Sequence, residues 1–212
     1  METKALKAPF IPVAEHDGLI KVSDLENDLV VIFEVWFYAT EHDTCQLMIN
    51  GTLVGEAQAF PEPLPEMGTE ITIMLKKSEL EADGVYQIAY RARNVIGGQN
   101  ADSPPVTIRV DRTAPGAALL APAVIPDVIS GLIPGYAGME PGDVIEITCN
   151  DIACQSLTVM PEHMSDTLIS FTLARDILGE VGAQATILQY SVTDRAGNTS
   201  RKSLATLVDP TH

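Results

Sequence analysis

Cysteine, aromatic residues and long apolar runs are scarce in this chain of 212 residues. No stretch approaches the ~18 apolar residues of a transmembrane helix, and segment 1–9 has no apolar core of signal-peptide length. We therefore expect no membrane insertion, and export only through a signal carried elsewhere in a longer parent chain. Aromatic residues make up 5% of the sequence, so a broad stacking surface for sugars is hard to assemble, and Trp36 is expected in the core.

Motifs of hydrolases and phosphate-binding enzymes are also absent. The sequence contains no G-x-S-x-G, no H-E-x-x-H and no glycine-rich phosphate loop. Its four histidines leave few candidates for acid–base catalysis. We expect no enzymatic activity and no cofactor.

Positive charge is scarce throughout the sequence. The chain has 13 Lys and Arg against 29 Asp and Glu, a formal net charge of −16, and both halves are acidic. An evenly acidic surface repels nucleic acid and anionic lipid. Neither is expected as a partner.

The three cysteines are Cys45, Cys149 and Cys154, an odd number. Two interpretations stay open for the last two. They form a bridge across a tight connection, or they are small buried thiols, and composition favours the thiols.

An internal repeat is the strongest positive signal. Residues 90–98 and 110–113 resemble 190–198 and 208–211, and four further segments match in the same order. These four matches are 18–20 with 131–133, 28–32 with 143–147, 45–46 with 154–155, and 71–73 with 169–171. Duplication of one module predicts domain 1 at residues 8–113 and domain 2 at 117–210, with an insertion at 44–67 in the first copy.

Strand signals recur along both copies. Residues 29–38 are apolar, β-branched or aromatic, which predicts a central strand. Asn50-Gly51 separates 44–49 from 52–59 and predicts a hairpin with a type I′ turn. Residues 69–75 and 85–93 alternate inward and outward positions. Short strands with regular turn signals predict a β-sandwich.

The order of these features resembles an immunoglobulin-like fold. Tyr86 stands where that family has a corner tyrosine bonded back to the backbone, and Ile88 stands where its buried cysteine is usual. Residues 190–200, Y-S-V-T-D-R-A-G-N-T-S, are similar to a run that recurs in bacterial immunoglobulin-like repeats of large surface and secreted proteins. Residues 110–115, V-D-R-T-A-P, resemble the linker between such repeats.

This resemblance implies an all-β fold of two tandem immunoglobulin-like β-sandwich domains, with further repeats as neighbours. It also implies a structural spacer or adhesion element of a bacterial surface or secreted protein. The alternative is a carbohydrate- or protein-binding module that uses the loops of domain 1. Fold alone does not decide between them.

Three groups of side chains have metal-ligand chemistry, but none has the spacing of a recognised site. They are Cys149, Cys154 and His163 for zinc; Glu41, His42 and Asp43 for a divalent cation; and Asp127, Asp194, Asn198 and Asp209 for Ca²⁺ near the domain junction. We expect no bound metal, and Ca²⁺ is the strongest of these alternatives.

The predicted binding site is a proline-rich segment in domain 1. Its residues are Phe60, Pro61, Glu62, Pro63, Leu64 and Pro65. Such a segment cannot pair into a sheet and favours an extended, polyproline-like conformation with Phe60 exposed. Because no counterpart is apparent in domain 2, we expect the segment to be dispensable for folding and available for contact with a partner.

Overall fold

The computed structural model describes residues 6–94, 97–126, 130–165, 168–173 and 186–208. The chain divides into two compact units, Met1–Arg112 and Thr113–His212, which we call unit 1 and unit 2. In the described residues, helical structure is limited to short 3-10 turns at Asp24–Glu26, Lys77–Glu79 and Pro161–Ser165. No helix in these ranges has the length and apolar character needed to cross a membrane.

Unit 1 contains two β-sheets. Its strands are β1 (Leu19–Ile20), β2 (Leu29–Glu34), β3 (Thr44–Ile49), β4 (Thr52–Ala59), β5 (Glu70–Leu75), β6 (Gly84–Arg93), β7 (Asn100–Asp102) and β8 (Val106–Val110). The larger sheet has the order β1-β8-β6-β3-β4, with β7 paired to β6 and β1 parallel to β8. The smaller sheet pairs β2 with β5.

Unit 2 repeats this arrangement. Its strands are β9 (Ser130–Pro134), β10 (Val144–Cys149), β11 (Ile152–Thr158), β12 (Leu168–Thr172), β13 (Thr186–Thr193) and β14 (Thr206–Val208). One sheet has the order β11-β10-β13-β14, and the other pairs β12 with β9.

The strand order is that of an immunoglobulin-like domain. In that fold the second and fifth strands share one sheet, and the third, sixth and seventh lie in the other. In unit 1, β2 pairs with β5, whereas β3, β6 and β8 are neighbours in the larger sheet. The predicted all-β, immunoglobulin-like fold class is confirmed.

Each core lies between the two sheets of its unit. In unit 1, Val31 and Phe33 of β2 share one buried cluster with Leu47 of β3 and with Ile88 and Tyr90 of β6, and each is at most 3% exposed. Unit 2 has a comparable cluster, which includes Ile133, Ile147, Ile169, Tyr190 and Val192. Burial of one such aliphatic or aromatic side chain contributes about 1.5–3 kcal/mol, so these clusters are the main source of stability in each sandwich.

Local turn chemistry matches the sequence prediction at the first hairpin. Asn50 and Gly51 have φ values of +50° and +81°, the two positive angles that a type I′ turn needs. The hydroxyl of Tyr86 donates to Ala82 O over 2.7 Å, as predicted for a corner tyrosine. Ile88, which stands at the position of the family's cysteine, is fully buried.

The two units share a hydrogen-bond framework whose partner numbers differ by 100. Asn50 N donates to Gln87 O, and Asn150 N donates to Ile187 O. The backbone N–H of Tyr90 donates to Ser103 Oγ, and the matching bond joins Tyr190 N to Ser203 Oγ, both over 3.0 Å.

This framework corrects the sequence alignment of the repeat. The alignment pairs 28–32 with 143–147 and Cys45 with Cys154, but β10 is the counterpart of β3, and β9 is the counterpart of β2. Composition misleads here because β2 and β10 are both apolar strands preceded by Asp, whereas β9 contains Gly131. A Cβ at Gly131 would lie 2.0 Å from the ring of Phe171, so the strand needs glycine there.

One predicted strand is shorter than its apolar pattern. Residues 29–38 were expected to be continuous, but β2 ends at Glu34, and residues 37–38 form a turn in which Ala39 N donates to Trp36 O over 3.3 Å. The chain has to leave the smaller sheet here to enter β3 in the larger one. The aromatic composition continues through this crossing, so it conceals the end of the strand.

Candidate functional site at the loop after β2

The loop between β2 and β3 exposes two neighbouring aromatic rings. Tyr38 is 81% exposed and Phe37 is 43% exposed. Their ring centroids lie 3.9 Å apart at an interplanar angle of 60°, an edge-to-face contact. The two rings therefore present a joint apolar surface at one end of unit 1.

The backbone at Tyr38 has an unusual conformation for a bulky residue. Its φ is +65°, in the left-handed region, which costs an ordinary L-residue roughly 1–2 kcal/mol. The corresponding residue of unit 2 is Gly138, with φ +74°. Glycine adopts this conformation without the steric cost. The loop thus requires a positive φ in both units, and unit 1 meets the requirement with an exposed tyrosine.

A buried aromatic cluster supports this loop from below. Trp36 is half-buried, and its ring lies 4.8 Å from Phe60 and 6.3 Å from Tyr90 between centroids. Phe33 of β2 lies 4.6 Å from Tyr90. Rotation of Trp36 is restricted by these contacts, so the residues that follow it start from a fixed position.

A small cavity of about 110 Å³ opens beside the loop. Lys7 and Glu34 lie at its wall and form an ion pair of 2.6 Å between Nζ and Oε2. The other lining residues are Leu6, Val35, Trp36, Phe37, Met67, Gly68 and Tyr90. Apolar and charged groups therefore lie together next to the exposed rings.

Asp43 holds the far end of the loop. It is 2% exposed, and its Oδ1 accepts hydrogen bonds from Thr40 Oγ1 (2.8 Å) and Asn94 Nδ2 (3.0 Å). Its Oδ2 accepts from Thr40 N over 3.2 Å. These bonds satisfy the buried carboxylate, so Asp43 closes the loop structurally.

The matching carboxylate of unit 2 is less well satisfied. Asp143 is fully buried, and its Oδ2 accepts from Tyr136 Oη (2.8 Å) and Glu140 N (3.1 Å). Its Oδ1 has no hydrogen-bond partner among the described residues. Burial, together with the nearby charge of Asp194, raises the pKa of Asp143 above its ordinary value.

Residues 60–65, the predicted binding segment, differ from the sequence prediction in two respects. Phe60 is 6% exposed and belongs to the core cluster, so its predicted exposure is wrong. Residues 62–63 form a bend rather than an extended run, which lets Phe60 and Leu64 both pack against the core. Pro61, Glu62 and Pro63 are exposed, and Pro65 is half-buried.

The segment also has a counterpart in unit 2, so the predicted insertion is wrong. Thr44 pairs with Ala59, and Val144 pairs with Thr158, which places Phe60 and Val159 at the same position after the fourth strand. Val159 is 1% exposed. Both units use this position to fill the core, and the drifting offset of the alignment obscures the match.

The candidate metal ligands do not form a site within the described residues. His163 Nδ1 accepts a hydrogen bond from Met160 N over 3.0 Å in a local turn. His42 Nε2 lies 3.5 Å from Glu41 Oε1 on the surface, while the neighbouring Asp43 is buried. Asp127 and Asp209 lie outside the described residues.

Asp194 and Asn198 close a hairpin loop, as predicted. Asp194 Oδ1 accepts from Asn198 N and Oδ2 accepts from Asn198 Nδ2, both over 2.8 Å. Gly197 has φ +94°, which fits the expected need for a positive angle.

The cysteines are free thiols. Cys149 Sγ and Cys154 Sγ lie 2.9 Å apart across the hairpin of β10 and β11. Burial raises the pKa values of Cys45 and Cys154 to about 12, which keeps both thiols protonated at neutral pH.

Sequence reasoning missed Phe37 and Tyr38 because it assigned them to a strand. The signal was present in the repeat. Aligning Asn50-Gly51 with Asn150-Asp151 places Tyr38 opposite Gly138, and a tyrosine that matches a turn glycine indicates an unusual loop.

The chain matches no protein-family model and no curated protein. Among solved structures, a 1.5-MDa bacterial ice-binding adhesin, studied for host cell surface retention, is 18% identical with a TM-score of 0.48, over 94% of this chain and 62% of that chain. A stretch of titin domains is 10% identical with a TM-score of 0.42, over 95% and 66%. The FN1–FN3 domains of chicken CNTN1 are 10% identical with a TM-score of 0.39, over 86% and 62%. This chain spans less than two thirds of each.

Proposed function

We propose that the chain is a non-catalytic tandem immunoglobulin-like module that serves as a structural spacer or adhesion element. The observation that carries this proposal is the repeated framework of Asn50 with Gln87 and Asn150 with Ile187, together with the matching serine bonds. Two copies of one scaffold, each with its own core, fit a module that is repeated along a longer chain and sets the distance between its neighbours.

The connection between the units supports this role. Arg112 N donates to Asp83 Oδ1 over 2.6 Å, and the Arg112 guanidinium lies 3.3 Å from Leu80 O, all within unit 1. Gly116 N donates to Ala137 O over 2.8 Å within unit 2. Only residues 113–115 separate these two anchors, and Pro115 restricts the backbone further.

We infer a bacterial cell surface or secreted location from the resemblance of residues 110–115 and 190–200 to bacterial repeats. Further immunoglobulin-like repeats are the neighbours that this proposal requires. The net charge of −16 favours the solubility of such a chain and disfavours nucleic acid as a partner.

A stiff linker is the testable core of the spacer proposal. Replacing Thr113, Ala114 and Pro115 by glycine keeps the length and removes the restriction. Small-angle X-ray scattering of the full chain should show a broader distribution of dimensions for this variant. The control replaces Pro104 and Pro105, exposed residues inside unit 1, by glycine and should leave the scattering unchanged. Identical scattering for the linker variant and the wild type would refute a stiff spacer.

A carbohydrate- or protein-binding module that uses loops of unit 1 is the second candidate. The exposed positions Pro61, Glu62 and Pro63 remain a proposed contact within 60–65, because their side chains face solvent while Phe60 anchors the segment. Replacing these three residues by Gly-Ser-Gly, with Phe60 retained, tests this contact without removing the core side chain.

A further inference from the structure

We propose that Phe37 and Tyr38 form a contact platform for a neutral saccharide. The proposal goes beyond the spacer function and rests on the strained backbone and the exposed ring of Tyr38. Tyr38 occupies a left-handed conformation, yet its side chain is 81% exposed, so it gains little from burial. Residues with backbone strain of this kind cluster at active sites and ligand-binding positions.

Unit 2 serves as an internal control for this argument. The corresponding loop has Ala137 and Gly138 at the two positions, and it keeps the same turn, with Met139 N donating to Tyr136 O over 3.3 Å. The turn therefore does not need either aromatic ring. Phe37 and Tyr38 are therefore specific to unit 1.

The surroundings indicate the chemical class of the ligand. A sugar ring has an apolar C–H face, which stacks on aromatic rings, and hydroxyl groups, which need donors and acceptors. The rings of Phe37 and Tyr38 supply the apolar surface on which such a face can stack. Polar groups are supplied by Lys7 Nζ and Glu34 Oε2, which lie at the wall of the adjoining cavity. Tyr38 also carries its own hydroxyl donor.

The size of the cavity and the net charge of the chain narrow the class of ligand further. The cavity of about 110 Å³ is smaller than the roughly 300–1,000 Å³ of sites that enclose a whole ligand. The ligand is therefore held as a surface contact, with one sugar unit on the rings and the rest of the chain in solvent. The net charge of −16 disfavours sialylated or sulfated sugars and leaves neutral ones.

The full chain provides a direct readout of binding. Trp36 is its single tryptophan and lines the cavity beside Phe37, so its fluorescence reports an occupied platform. The probes are neutral oligosaccharides of hexose and N-acetylhexosamine units, with sialylated and sulfated oligosaccharides for comparison. We expect at least one neutral probe to bind and the double variant Phe37→Ala, Tyr38→Gly to weaken its Kd by about tenfold or more.

A matched control variant tests whether binding depends on these two rings or on any exposed apolar side chain. Val85 is 61% exposed and lies near the start of β6. The loop adjoins the opposite end of this strand, where Arg93 pairs with Thr44. Val85→Ala should therefore leave the Kd unchanged. The double variant should keep the melting temperature, because glycine relieves the positive φ of Tyr38.

The proposal is overturned if no neutral probe binds, if only anionic probes bind, or if the double variant binds as well as the wild type. A protein partner captured through these two rings, with no affinity for any oligosaccharide, would also overturn it. None of these results depends on linker stiffness, so the scattering experiment decides the spacer function separately.

Discussion

Asn94 donates a hydrogen bond from Nδ2 to Oδ1 of the buried Asp43 over 3.0 Å, and in unit 2 the same two positions hold Asp194 and Asp143. Exchange of the amide for a carboxylate removes a donor and adds a negative charge near a buried carboxylate. Glu140 also stands in place of Thr40, whose Oγ1 donates to Asp43 Oδ1 in unit 1. Asp143 Oδ1 has no partner among the described residues, and the pKa of Asp143 is raised by burial and by Asp194.

Asp194→Asn should stabilise unit 2 at neutral pH by about 1 kcal/mol, because it restores the hydrogen bond found in unit 1 and removes a like charge. Asn198 would still donate to the remaining side-chain oxygen. Calorimetry of the full chain measures the effect, and the fluorescence of Trp36 identifies the transition of unit 1. Glu146→Gln, which neutralises an exposed carboxylate on β10, is the control. If Asp194→Asn is instead less stable than the wild type, the two hydrogen bonds from Asn198 to the Asp194 carboxylate contribute more than the unsatisfied Asp143 Oδ1 costs.

The raised pKa of Asp143 also predicts the pH dependence of unit 2. The folded state holds this proton more tightly than the unfolded state, whose carboxyl titrates near ~3.9. The resulting stabilisation is complete below the unfolded pKa and is lost as pH rises through the folded pKa. The melting temperature of the wild type should therefore decline relative to Asp143→Asn as pH rises above about 4. Parallel profiles for the two proteins would contradict a raised pKa.

Phe60→Ala should destabilise unit 1 by about 3 kcal/mol, the usual cost of removing a buried phenyl ring. Phe60 is 6% exposed and lies 4.8 Å from the ring of Trp36, so tryptophan fluorescence should also change. Urea unfolding followed by this fluorescence gives the free energy. Glu62→Ala, two residues away and exposed, should remain within about 0.5 kcal/mol of the wild type. Equal stability of Phe60→Ala and the wild type would mean that the ring is not part of the core.

The fold could be predicted from the sequence more fully than the candidate site. Asn50-Gly51 specifies its turn through local backbone preferences, and the Tyr86 bond spans only a few residues, so both could be predicted. Burial of Phe60 and exposure of Tyr38 depend on where the chain crosses between sheets. Aromatic composition is the same on both sides of that crossing, and a single sequence does not show on which side an aromatic residue packs.

The chemistry of the thiols is set by the core around them. Cys45 is buried, Cys154 is half-buried, and burial raises the pKa of each to about 12, so almost no thiolate exists at neutral pH. Iodoacetamide should therefore modify these two cysteines slowly in the folded chain and readily in urea, as followed by mass spectrometry. Since the free thiols are not needed to hold the sandwiches, a reducing agent should leave the melting temperature nearly unchanged. A large drop on reduction, together with an intact mass lower by two hydrogens before reduction, would show that Cys149 and Cys154 form a structural bridge.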